Sequence, residues 1–272
     1  MKSYLRFLSR NKLYTAIEVV GLSVALAFVL IIGSYVWQEY SISRENPDYE
    51  RIYIPTQSMP YGIFEPMKEQ IPEIEKITLV NSFDDVVMEC DDERLVTRGL
   101  AVRGDFFDIF DYEFLIGDAG CLESYTDIVI SESYAAKLAG KPELAVGMKI
   151  VPVDYPSQAY TVTGIIKDFD HNYWKYMDFI CKGESPLNDS AQKNPIFTLS
   201  ATAFIKVAES ADVDALGGKI QEIFRQLWGE KLNAAMIDQF TIDIGIERFD
   251  KLYFSGEMID SYLNMGDRSQ II

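Results

Sequence analysis

Residues 19–37, VVGLSVALAFVLIIGSYVW, are 19 successive positions without a charged side chain. At about 1.5 Å rise per residue, a helix of that length covers most of a roughly 30 Å hydrocarbon core. The pattern therefore predicts a transmembrane helix, assigned to residues 16–38, behind a short basic N-terminus over residues 1–15. Beyond the run, apolar residues recur in short clusters broken by turn signals, as in a folded domain over residues 39–265. Residues 38–50 are polar and carry an Asn46-Pro47 turn signal, so they form a link off the membrane.

Arg51–Thr56 reads as a first strand. Ile63, Phe64 and Met67 mark a short helix within Pro60–Gln70 that Pro72 ends. Strands follow at Ile77–Val80, Asp85–Cys90 and Arg94–Val102, the last two joined as a hairpin at Asp91-Asp92-Glu93. Gly104–Asp111 reads as one helical turn burying Phe106, Phe107 and Phe110. Thr126–Ile130 is a strand, after which Ser131 caps a helix over Glu132–Ala139 and Gly140 stops it. Met148–Val153, Tyr160–Lys167, Ala203–Val207 and Phe240–Ile246 are further strands, and residues 182–195 form a polar loop. Asp212 opens a helix expected to stop at Gly229, with Leu216, Ile220, Ile223 and Leu227 as one apolar stripe suited to a sheet. Strands and helices mix irregularly rather than as strict βαβ units, so the fold class is α+β with two subdomains.

A cleaved signal peptide is the competing reading of the first apolar run, since Ala25-Leu26-Ala27 resembles a small-residue cleavage site. That site lies in the middle of the run, and cleavage would leave an apolar tail from Phe28 to Trp37. Tyr35, Trp37 and Tyr40 gather at the outer end, where amphipathic rings favour the headgroup level. A retained span is the better account. Gly21 and Ala25 are its candidate packing points, because small residues let helices approach closely in lipid. Small residues are also simply frequent in spans. Glu18 sits one turn inside the cytoplasmic edge, close enough to reach the interface or to pair with Lys12.

Charge fixes an orientation. The 272 residues include 25 basic and 42 acidic side chains, a net charge of −17. Lys2, Arg6, Arg10 and Lys12 precede the run with no acid before Glu18, and basic flanks stay cytoplasmic. The expected arrangement is a membrane-anchored chain with its basic N-terminus inside and its large acidic domain outside. So acidic a domain excludes nucleic acid as partner, which needs a basic face. Cys90, Cys121 and Cys181 form no C-x-x-C pair, so no zinc ribbon or redox pair is available, and all three read as small buried apolar residues.

Catalytic signals are weak throughout. His171 is the single histidine, flanked by Asp168 and Asp170, and one short loop offers too few ligands for a metal site. No G-x-S-x-G elbow, P-loop or G-x-G-x-x-G is present. The acidic clusters lack the spacing of a calcium loop. Any carboxylate pair picked from 42 acids would be arbitrary.

Several segments, in order, resemble the FtsX/MacB-type ABC transporter permeases. Asn11-Lys12 with Gly21-Leu22-Ser23 resembles the family's entry into its first span, and Glu50-Arg51-Ile52-Tyr53 its opening strand. Ile71-Pro72-Glu73-Ile74-Glu75 resembles the lead into the second strand. Asp105-Phe106-Phe107-Asp108-Ile109-Phe110, with Leu115 and Gly117-Asp118, resembles the family's aromatic helical turn. Ile130 to Leu138, Val146-Gly147 and Thr161 to Phe169 match further stretches. Ala139 stands where the family has Phe, and Asp170 where Pro is common. The permeases continue into three more spans. Residues 266–272 are expected to begin the second of four, so the sequence is either a fragment or a truncated protein.

The resemblance implies a MacB-like periplasmic core domain and no enzyme. It implies no cofactor on this chain, with ATP bound by a partner ATPase. Its implied partners are a cytoplasmic ABC ATPase, a second copy of the permease or a related one, and a periplasmic or outer-membrane protein. It also implies a β-rich part inserted at about residues 115–185, and a stiff link over Gln38–Tyr53 that carries motion outward, with Trp37, Tyr40 and Arg51 as its candidate residues. Export, lipoprotein release and cell-wall hydrolase control are the outputs such permeases serve. Two rival readings are a single-span receptor or binding module and an anchored periplasmic hydrolase. A stop after Ile272 without a neighbouring ATPase gene would mark the receptor; a convergent polar pocket, with activity lost on changing one acid, would mark the hydrolase.

Overall fold

One continuous helix, α1 (Lys12–Ser41), carries the whole uncharged run. Its apolar residues lie all round the axis, as suits a helix whose surroundings are lipid, and it is long and apolar enough to cross a membrane. The computed structural model describes residues 12–44, 46–91, 93–168, 174, 176–183, 200–234, 244–253 and 263. The chain divides into two compact units, one containing α1 and the other formed by Ser43–Asp267.

In the second unit the strands are β1 (Ile52–Pro55), β2 (Met59–Pro60), β3 (Ile74–Cys90), β4 (Glu93–Gly104), β5 (Phe114–Ile116), β6 (Asp127–Ser131), β7 (Lys149–Pro152), β8 (Tyr160–Ile166), β9 (Phe179–Lys182), β10 (Ser200–Val207) and β11 (Ile246–Arg248). They join one sheet in the order β11-β1-β10-β3-β4-β9-β6-β8-β5, with β2 on β10 and β7 bridging β3 and β8. The helices are α2 (Phe64–Gln70), α3 (Phe106–Ile109), α4 (Glu132–Ala139), α5 (Pro142–Ala145), α6 (Val213–Ala234) and α7 (Phe249–Leu252). This is the mixed α/β architecture expected from the sequence, and residues 43–267 form one compact unit.

The separate strands expected at Ile77–Val80 and Asp85–Cys90 are one 17-residue strand, β3. A bulge between Phe83 and Val86 absorbs the interruption, with Asp85 at φ 54°. Such a bulge bends a strand without ending it. The hairpin turn falls where expected, with Asp91 at φ 46°.

Ser131 caps α4 through its hydroxyl, which accepts from the Tyr134 amide at 3.2 Å, and Gly140 ends it at φ 73°. Helix α6 departs from expectation. It runs through Gly229 to Ala234, because nothing at Gly229 imposes a left-handed turn. Its buried stripe is Leu216, Ile220, Ile223 and Trp228, whereas Leu227 is 37% exposed. Phe107 is only half-buried, while Phe106 and Phe110 are fully enclosed. Most of the strand expected at Phe240–Ile246 lies outside the described residues. Strand pairing is seen at Ile246–Arg248 instead.

Two apolar cores share the sheet. In the first, Ile63 and Met67 from α2 and its lead-in, with Ile220 and Ile223 from α6, cover Leu79 and Ile205. On the opposite face of β10, Phe204 meets Phe110, Trp174 and Phe249 at ring separations of 5.1, 5.7 and 6.1 Å. The second core gathers Met88, Ile130, Tyr134, Val162, Phe179 and Cys181. Here Gly99 lies opposite Phe83 on β3 and beside Phe179 on β9, and those rings stack at 6.3 Å. A glycine is required there, since a Cβ would sit 2.1 Å from the Phe179 ring.

All three cysteines are free thiols. Cys90 and Cys181 are buried, whereas Cys121 is only half-buried, short of the burial expected. Burial pushes the Cys181 thiol up to about 12 and raises that of Cys90, which suppresses the reactive thiolate. Under native conditions a thiol-reactive maleimide is expected to modify Cys121 alone, with all three labelled after denaturation. Peptide mapping by mass spectrometry checks this.

Candidate coupling link

The segment leaving the apolar helix must carry force if it carries anything, and its side chains show how it is fastened. After the 3-10 turn Ile42–Arg44, Asn46 is 2% exposed although fully polar. Its carboxamide nitrogen donates to the Ile109 carbonyl at the end of α3 at 2.8 Å, and its oxygen accepts from the Asp48 amide at 2.9 Å. The second bond makes the Asx-type turn that an Asn-Pro pair favours. The first ties the link to a helical turn 63 residues downstream. A buried amide is stable only with such partners, and stranding its group costs about 1–3 kcal/mol.

Arg51 continues the attachment. Its amide donates to the Asp48 carbonyl at 2.8 Å, and its Nε to the Val207 carbonyl at 2.9 Å. The guanidinium also bonds Glu75 and lies 3.7 Å from Asp48. Lys206 on β10 pairs with the same Asp48. Arg51 thus grips both β10, the strand beside β1, and β3, the next strand beyond it. A planar fork with several donors suits this and lysine would not. At the end of β11, Arg248 forms a two-point pair with Asp250, at 2.6 and 2.9 Å, and the carboxylate raises its already high pKa.

Of the residues singled out from sequence, Arg51 lies in this network. Trp37, 78% exposed, and Tyr40, 55% exposed, lie on α1 in the other unit. Gly21 and Ala25 also lie exposed on α1, with no atom within 4 Å of a Cβ built on Gly21. His171 and Asp170 lie outside the described residues. Asp168 accepts from the Ser133 amide at 2.8 Å and from its hydroxyl, so it serves the start of α4. Among the described residues no group of three or more His, Cys, Asp or Glu is placed to hold a metal. Asn46 was singled out from sequence only as part of a turn signal, not as an anchoring residue. Asn-Pro signals a turn, and nothing in the sequence says that the side chain will be buried against residue 109.

A mixed sheet domain thus follows an apolar helix long enough to cross a membrane, and its entry segment is tied to two strands and a helical turn. The model of the MacB-like periplasmic core domain matches residues 15–223, and the chain belongs to that family, the periplasmic domain of ABC transporter permeases. A crystal structure of a domain described as part of a permease protein from Porphyromonas gingivalis is similar, with a TM-score of 0.57 at 21% identity. That match covers 66% of this chain and 85% of the other. The periplasmic region of MacB from Actinobacillus actinomycetemcomitans gives 0.49 at 10% identity, covering 74% and 90%. The extracellular domain of the noncanonic ABC-type transporter YknZ from Gram-positive bacteria gives 0.45 at 12%, covering 65% and 95%. No curated protein matches.

Proposed function

We propose that the chain acts as part of a non-catalytic permease subunit, in which a cytoplasmic ATPase drives α1 and the link passes that motion to the outer domain. The observation that carries this reading is the fastening of Asn46 and Arg51. A flexible tether needs neither a buried carboxamide bonded to residue 109 nor a guanidinium gripping β10 and β3. Export, lipoprotein release and hydrolase control remain alternative outputs of the same motion. The N-terminus is cytoplasmic in this reading, from the basic flank before the apolar run.

The test is an insertion of four Gly-Ser residues after Ser43, with Asn46→Ala made separately. Both are placed in the permease reconstituted with its ATPase, and spin labels at Tyr155 of two copies report domain separation. In the parent, the separation is expected to change on adding nucleotide. The insertion should abolish that change while leaving nucleotide binding intact, and Asn46→Ala should reduce it. It should also cost the outer domain about 1–3 kcal/mol of stability, the penalty for stranding the Ile109 carbonyl and the Asp48 amide. An undiminished change in the insertion variant would sink the coupling reading and favour a simple anchored receptor.

A further inference from the structure

The distal half of β4 is an open edge. Arg98 directs both backbone groups away from β3: its amide donates to Asp178 Oδ2 at 3.0 Å, and its carbonyl accepts from the Asp178 amide at 2.7 Å. Val102, of the same parity, likewise offers its carbonyl to the Gly183 amide at 2.8 Å. Strand period two therefore points the amides and carbonyls of Val96 and Arg94 to that side as well. Strand β9 pairs with Gly99–Val102 only, so among the described residues no strand lies beside Arg94 and Val96 and their outward backbone groups have no hydrogen-bond partner. Val96 is 66% exposed. Four main-chain groups in line beside an exposed β-branched residue make a template for another strand.

We infer that this edge pairs with the same edge of a second copy, antiparallel, about a two-fold axis through Leu95. The register is selected twice over. Only with Leu95 opposite its own symmetry mate do all four groups pair, the Val96 amide and carbonyl of one copy bonding the Arg94 carbonyl and amide of the other. A two-residue slip in the relative register either way sets arginine directly opposite arginine, Arg94 on Arg98 or Arg94 on itself, and like charges in such pairs destabilise. In the chosen register Arg94 faces Val96 and keeps its own-chain partner Glu89 at 2.6 Å. On the core face Met88 and Leu95 of both copies, cross-strand neighbours within each chain, complete one apolar row. The contact is small, so it depends on holding the copies in one membrane plane, where anchoring raises their effective concentration. The inference is independent of the coupling reading, because it concerns association and not motion.

The test uses the full chain in membrane vesicles, in a Cys121→Ala background that leaves only the two buried thiols. Leu95→Cys should oxidise to a covalent dimer, because opposed residues of a non-hydrogen-bonded antiparallel pair bring their Cβ atoms to about 5 Å. Val87→Cys, one strand further from the axis, should not. Adding Val96→Pro should abolish the cross-link without breaking the β3–β4 ladder, since the lost amide points outward. Val96→Arg, which sets arginine opposite Arg94, should reduce it at least tenfold with the circular dichroism spectrum unchanged. Leu95→Cys remaining monomeric would overturn the proposal, and so would equal cross-linking of Val87→Cys or of the folded Val96→Arg variant.

Discussion

Replacing Gly99 by valine is expected to cost the outer domain about 3 kcal/mol or more, the upper end for overpacking a filled core. The added Cβ would lie 2.1–2.5 Å from three atoms of the Phe179 ring, well inside contact distance. That ring has little room to retreat, being 1% exposed and stacked on Phe83. Chemical denaturation of the outer domain measures the loss. A double-mutant cycle with Phe179→Ala identifies its cause: the pair should cost clearly less than the sum of the singles, because removing the ring removes the collision. Additive costs would show that the glycine is needed for another reason.

The second large effect is expected at Phe110→Ala. Phe110 is fully buried, and its ring meets Trp174 at 5.0 Å, Phe204 at 5.1 Å and Phe106 at 5.2 Å. Deleting such a ring costs about 3–5 kcal/mol in transfer and cavity terms, or about 10 °C in melting temperature for a domain of this size. Its amide also closes α3 on the Phe106 carbonyl at 2.9 Å, next to Ile109, whose carbonyl holds Asn46. The variant should therefore loosen the link as well as the core. Hydrogen exchange checks this: the Asp48 amide, held by Asn46, should exchange faster in Phe110→Ala than in a control that removes an equally large side chain from the second core, Tyr134→Ala. Equal protection in both would separate the aromatic cluster from the link.

How much of this was legible depended on how local the cause was. Helix α4 was read to the residue, because a serine cap and a glycine stop act within a few positions of the backbone they terminate. The β3–β4 hairpin was placed by its acidic turn. Its bulge was not, since Asp84-Asp85 gives the same polar signal whether a strand ends or kinks. Strand β9 went unread, as its first three residues, all buried between β4 and β6, carry no alternation. The end of α6 was misplaced because a glycine in a helix stops it only where the following chain turns away. Of the link residues, Arg51 was legible from the family's opening strand. The partners of Asn46 are tertiary and could not be reached from neighbours in sequence.

The strand order has a consequence for how the chain is made. Strand β1 pairs with β10 and β11, so Ile52 waits for Lys206 and Tyr53 for Arg248 before either side is closed. The β3 edge likewise waits for β10, and β4 cannot join β6 until β9 arrives between them. A nascent chain emerging from its N-terminus thus presents several unfinished edges until nearly all of the domain has been made. Such long-range pairing folds slowly and exposes surfaces that aggregate. Assembly of this domain should depend on factors that hold the unfinished chain, more than on the stability of the finished sheet.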